Sequence, residues 1–168
     1  NDFSAKLTYS IPPLIFNLNS KQETISGDIN FLFKPAWDEQ DNLKHTLLET
    51  KNSDGDGLKI WTEPKGFNNI SLSLGLLNNN EIKDQVQIPL GPLKSTSWHE
   101  ISLVFDNQKM ILSLKFDDQQ ASLAISSLRP IRIGNSLYIG ASSVFLEPAE
   151  GAIDNLKIII NNQTLYQN

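Results

Sequence analysis

Gly27-Asp28-Ile29-Asn30-Phe31-Leu32-Phe33-Lys34-Pro35 is the stretch on which the fold turns. Ile29, Phe31 and Phe33 fall on alternate positions, with Asn30 and Lys34 between and after them. A period of two with one apolar face predicts a half-buried antiparallel strand. The pattern recurs in Ile70, Leu72, Leu74 and Leu76, spaced by Ser71, Ser73 and Gly75, and in Met110, Leu112, Leu114 and Phe116. Further strands are expected at Leu7–Ile11, Leu14–Leu18, Thr46–Lys51, Leu58–Thr62, Val86–Leu90, Ile101–Phe105, Ala121–Ile125, Leu137–Ile139 and Ala152–Ile160. Turn chemistry separates them: Asn52-Ser53-Asp54-Gly55-Asp56-Gly57, Asn78-Asn79-Asn80, Asp106-Asn107 and Asp117-Asp118. One short helical turn is expected at Asp38–Lys44, with Asp38 as its cap. Many short strands with regular turns and no fixed repeat read as an all-β sandwich or barrel over residues 1–168, taken as one domain.

Composition narrows the function classes. A chain of 168 residues is long enough to bury a core without staples. It has no cysteine, which excludes disulfides, zinc thiolate sites and cysteine nucleophiles. The net charge of −5 disfavours nucleic acid and anionic membranes, and no basic block with interleaved aromatics offsets it. No apolar run approaches transmembrane length, so membrane insertion is not expected.

The order of landmarks resembles the laminin-G-like domains of the concanavalin-A-like lectin and glucanase superfamily. Gly27 to Pro35 is similar to their early strand, and His45-Thr46-Leu47-Leu48-Glu49 to the next. Ser97-Trp98-His99-Glu100-Ile101 resembles their Trp-His strand, Leu137-Tyr138-Ile139-Gly140 the strand before the end, and Gly151-Ala152-Ile153-Asp154 the closing strand. The resemblance covers roughly residues 25–160 and implies a two-sheet antiparallel sandwich with jelly-roll topology. It also implies that Trp98 is a core residue. The fold hosts lectins, hydrolases, lyases, adhesion domains and spacers, so function has to come from the site.

The glucanase branch carries Glu-x-Asp-x-x-Glu on one strand, because alternate positions place two carboxylates on one face. That motif does not occur here. Glu49 is followed two residues on by Lys51, Glu147 and Glu150 flank Pro148, and Asp117 and Asp118 are adjacent. Arg129 and Arg132 are the only arginines and have no lyase-like context. Ser97 and His99 share a strand face, a spacing that nucleophile chemistry also uses, but a polar pair at a strand start is the plainer reading. Catalysis therefore ranks last.

Calcium is the one cofactor the sequence suggests. Asn52, Asp54, Asp56 and Glu63 follow the spacing of a calcium loop, but their flanks read as strands, so a hairpin turn and a calcium-binding hairpin both stand. The superfamily resemblance implies a second place, where the first and last strands meet: Asp154 in the closing strand, with Gly27 and Asp28 in the early one.

A sugar-binding β surface needs an aromatic platform with amides and carboxylates beside it. Trp61 is opposite in parity to Leu58 and Ile60, Trp37 follows Lys34-Pro35 among Asp38, Asp41 and Asn42, and Tyr138 alternates with Leu137 and Ile139. Each has a structural alternative: Trp61 under a loop, Trp37 capping one end, Tyr138 satisfied within its sheet. The leading expectation is a non-catalytic carbohydrate-binding or adhesion module of a larger extracellular or cell-surface protein. Trp61, Trp37 or Tyr138 would supply the platform, and Asp54 and Asp56 would read hydroxyls. The partner is then a glycan or a surface protein. The alternative is a structural or protein-interaction domain of a surface or phage-type assembly.

Overall fold

A computed structural model describes residues 14–18, 26–37, 41–66, 69–93, 96–125, 130–144 and 147–168. Twelve strands are present among them: β1 (Leu14–Asn17), β2 (Ser26–Pro35), β3 (His45–Lys51), β4 (Gly57–Pro64), β5 (Ile70–Asn78), β6 (Glu81–Gly91), β7 (His99–Asp106), β8 (Ile111–Phe116), β9 (Gln119–Ala124), β10 (Ser136–Ile139), β11 (Gly151–Ile160) and β12 (Gln163–Gln167). They form two six-stranded sheets, in the orders β1-β10-β3-β4-β5-β6 and β12-β11-β2-β7-β8-β9. Every pairing is antiparallel. Long crossovers place β2 between β7 and β11, and β10 between β1 and β3. The result is a jelly-roll sandwich.

The core lies where the alternation puts it. Ile29, Phe31 and Phe33 of β2 meet Ile101, Leu103 and Phe105 of β7, Leu112 and Leu114 of β8, and Ile158 of β11 on the inner face of the second sheet. Leu48, Leu58, Ile60, Leu72 and Leu74 supply the facing layer. Apolar burial of this kind is worth roughly 25 cal/mol per Å² removed from water, which is why the two faces interdigitate. A bulge between Thr46 and Leu48 lets both Leu47 and Leu48 reach the core.

Several boundaries differ from the sequence reading. Met110 is exposed and left-handed (φ 55°), so it belongs to the β7–β8 turn, and β8 begins at Ile111. Residues 41–44 contain no helical turn, because the Asp41 carboxylate accepts the Leu43 N–H and closes a local loop there. Asp38, the strand at Leu7–Ile11 and Arg129 lie outside the described residues. β12 was not expected: it is an edge strand, exposed along its length, with polar residues on both faces. A two-residue turn with Asn161 and Asn162 at φ 49° and 63° feeds it, the backbone that a tight hairpin demands.

Candidate functional site

A cleft sits on one rim, where three distant segments meet. In the β3–β4 turn, Asn52 organises its own loop: its Oδ1 accepts the N–H groups of Asp54 and Asp56, both at 2.9 Å. The Asn52 N–H donates to the Asp56 carbonyl at 2.9 Å. A short amide side chain competes well for backbone donors, and here it folds a six-residue turn around itself. The β5–β6 turn has Asn79 and Asn80 at φ 51° and 64°, and its Asn80 N–H docks on the Gly55 carbonyl at 2.9 Å.

Asp56 joins these turns to the third segment. Its Oδ1 accepts the Asn78 amide and the Asn79 N–H, both at 3.2 Å, and its Oδ2 accepts Arg132 Nη1 at 3.2 Å. Arg132 belongs to a stretch hung from both sheets. Asn107, in the β7–β8 turn, exchanges two hydrogen bonds with the backbone of Ile131, at 2.7 and 2.9 Å. Thr50 Oγ1 of β3 accepts the Gly134 N–H at 2.9 Å. Ile131 is buried between them. The cleft so formed holds about 210 Å³, with Leu76, Leu77 and Pro130 as apolar floor and wall. Asp56, Asn78, Lys83, Asp84 and Arg132 supply the polar groups.

The outward face of the first sheet carries a second polar array. Tyr138, Glu49, Lys59 and Gly75 succeed one another across β10, β3, β4 and β5. Glu147, from the β10–β11 connection, reaches this row: its Oε2 accepts Lys59 Nζ at 2.7 Å and Thr46 Oγ1 at 2.9 Å. Glu49 lies 3.9 Å from the same Lys59 and accepts the backbone N–H of Ser143 at 3.1 Å and its hydroxyl as well. Burial is the largest single influence on Glu147 and pushes its carboxyl up. The hydrogen bonds from Lys59 and Thr46, with the charges of Lys59 and Lys44, together outweigh it and hold the group below its ordinary range. A carboxylate whose folded value is depressed stabilises the protein above its unfolded value and loses that contribution as pH falls through the folded value. The thermal midpoint is therefore expected to fall on acidification below about 4.5, the ordinary value of the group. In Glu147→Gln that loss should be smaller, and stability at neutral pH should drop by about 1–2 kcal/mol. A midpoint series against pH for both proteins checks it; parallel curves would refute the assignment.

The residues singled out from sequence fare differently. Trp61 faces outward, as its parity requires, yet is only 1% exposed. Its six-membered ring lies on Gly75, where a Cβ would come within 2.9 Å, and Lys44 Nζ stands 4.9 Å from the ring centre. Its Nε1 is buried with no hydrogen-bond partner among the described residues. It is not an open platform. Trp37 is 6% exposed and caps one end of the core: Nε1 donates to the Ala149 carbonyl at 2.7 Å, and the ring stacks on His45 at 4.4 Å. Tyr138 is half-buried opposite Glu49. Asp54 is exposed at the turn tip, and Asp56 is built into the cleft.

The residues named for calcium are not brought together. Asp154 pairs across with Leu32, whereas Gly27 and Asp28 pair with Ile160 and Ile159. Gly27 and Leu32 lie five residue steps apart along β2, about 17 Å of strand. Asp154 Oδ1 is engaged by the N–H of its own neighbour Asn155, and Asp28 accepts from Asn30. In the turn, Asn52 Oδ1 and both Asp56 oxygens already accept hydrogen bonds. Among the described residues no three His, Asp or Glu side chains gather as a metal site would need. The residues named at the meeting of the first and last strands do not share one site.

Two corrections concern the Trp-His strand. Trp98 is 45% exposed, not core, because it shares the outward parity of Glu100 and Val104. His99 turns inward, stacks on Phe116 at 4.8 Å and pairs through Nδ1 with Asp117 at 2.8 Å. Its Nε2 is buried with no partner among the described residues, so Ser97 is not joined to it as a nucleophile would be. The sequence reading missed Arg132, Asn78 and Lys83 in the cleft, and Lys59 and Glu147 on the sheet face. The Asn-rich turns were marked, but nothing local ties them to Arg132.

No family model matches the sequence, and no curated protein matches it. Solved structures do resemble it in three dimensions. A native heptameric SAP-like pentraxin from Limulus polyphemus matches over 92% of this chain and 71% of its own, with TM-score 0.63 and 14% identity. Domains LG4-5 of the mouse laminin alpha1 chain match over 94% of this chain and 42% of theirs, with TM-score 0.57 and 11% identity. The CBM40 of the Ruminococcus gnavus IT-sialidase, bound to alpha2,3 sialyllactose, matches over 92% of this chain and 89% of its own, with TM-score 0.60 and 13% identity. The chain has a two-sheet jelly-roll sandwich fold, shared with the pentraxin, laminin and CBM40 structures.

Proposed function

We propose that this chain is a non-catalytic glycan-binding module of a larger extracellular or cell-surface protein, and that the ligand enters the rim cleft. The observation that carries this reading is the cleft itself: a fixed carboxylate, amide and guanidinium set beside an apolar wall, about 210 Å³ in volume. That is below the roughly 300–1,000 Å³ of sites that engulf a whole small molecule, and it suits one terminal sugar residue held from one side. The sialyllactose held by the CBM40 on the same fold supports it.

The sheet-face carboxylates favour binding over hydrolysis. Glycoside cleavage needs one carboxyl kept protonated as a general acid. Glu147 is held ionised by Lys59, which stands between it and Glu49. No described helix is long and apolar enough to cross a membrane.

A glycan array followed by calorimetry on its hits tests the proposal. Asp56→Asn keeps the shape and removes the charge that orients Arg132, so affinity for a genuine hit should fall about tenfold or more. A flat array, or hits indifferent to Asp56→Asn, would remove the cleft from consideration.

A further inference from the structure

Arg132 gives the cleft a chemical preference. Its side chain is 60% exposed although its backbone segment is anchored at Ile131 and Gly134. Among the described residues one of its five N–H donors is bound, by Asp56 Oδ2 at 3.2 Å. Asp56 cannot swing away to follow it, because its other oxygen is held by Asn78 and the Asn79 backbone. The guanidinium is thus tethered at one nitrogen while the rest of its planar fork borders the cleft.

A tethered fork matches a planar or tetrahedral anion with two parallel hydrogen bonds, a fit that a single hydroxyl does not offer. The apolar wall of Leu76, Leu77 and Pro130 excludes water on one side, which strengthens such a pairing. The other charges around the cleft do not supply this geometry. Lys83 is paired with Glu81, and Asp84 has interactions of its own. With the whole chain at −5, attraction for an anion is local to this fork.

We propose that the cleft selects glycans ending in an anionic sugar, one bearing a carboxylate or a sulfate, with Arg132 as the residue that reads the charge. This rests on the glycan-binding reading above and names the ligand class for the same cleft. The test compares 3′-sialyllactose, a glucuronic-acid-terminated oligosaccharide, 3′-sulfated lactose and plain lactose, by calorimetry or NMR titration at low and at physiological salt.

The expected result is binding of one or more anionic probes at least tenfold tighter than lactose, weakened by salt. Arg132→Ala should lose about 10- to 100-fold on the bound probe. Arg132→Lys should recover only part of that, since an ammonium cannot make the paired contact. The carboxylated and sulfated arms then say which anion fits. Both variants change an exposed side chain, and an unchanged thermal midpoint confirms that each is folded. If lactose or other neutral glycans bind as well as the acidic probes, or if Arg132→Ala leaves acidic binding intact, the anion preference is wrong while the module reading survives. If none of the probes binds and a broad array is also flat, both fall.

Discussion

Trp61→Ala is expected to destabilise the protein by about 3–5 kcal/mol, the cost of emptying a large buried aromatic site. For a domain of this size that is a drop in thermal midpoint on the order of 10 °C. An outward-facing tryptophan on a solvated sheet would cost far less, and the sequence alone allowed that reading. The structure decides against it, because the ring is 1% exposed, packed against Gly75 with the Lys44 ammonium over it. Trp61→Phe sharpens the test. It keeps most of the ring and deletes Nε1, a buried donor without a partner among the described residues, whose desolvation already costs about 1–3 kcal/mol. The phenylalanine variant should therefore lose much less than the alanine variant. Urea denaturation of the three proteins gives the ordering. A small alanine effect, with loss of glycan binding instead, would restore Trp61 as a ligand platform.

Gly57→Ala should be at least as damaging. A Cβ there would lie 1.8 Å from the Thr50 carbonyl oxygen and 2.8 Å from Lys51 Cα, both backbone atoms of the paired strand. A flexible side chain can turn aside, but two backbones in one hairpin can only separate. The expected cost is about 3 kcal/mol or more, at the upper end for an overpacked site. The adjoining Asp56 would be dragged from Asn78 and Arg132, so whatever folded protein remains should bind glycans weakly. Amide shifts at Asn78 and Asn79 in an NMR fingerprint would locate the disturbance. A variant with wild-type stability and an unshifted fingerprint would show that the hairpin has slack that this packing denies.

What the sequence could say depended on how far its signals travel. Ile29, Phe31 and Phe33 declare a strand because the period of two is local, and the sheet formed as read. Met110 looked like the next beat of such a pattern, but its residue type does not reveal a left-handed turn. β12 was invisible because Gln163, Thr164 and Gln167 give no apolar alternation, and an edge strand can form without one. At Trp98 parity alone was the better guide. Ile101, Leu103 and Phe105 turn inward, so position 98 turns outward, while the family resemblance had put it in the core. Trp61 shows the opposite limit: parity gave its face correctly, but its cover comes from Lys44 on another segment. Asp56 was marked by its turn, whereas its partner Arg132 is 76 residues away and announces nothing in the chain around it.

The segment around Arg132 belongs to neither sheet: Asn107 holds it from one and Thr50 from the other. A clasp of that kind makes the cleft a product of the finished sandwich. No excised hairpin carries it, since the β3–β4 turn without Asn107 has an aspartate but no positioned arginine. Any attempt to shrink this module to a peptide, or to graft the Asn-rich turns onto another scaffold, has to bring the clasp along with the loop.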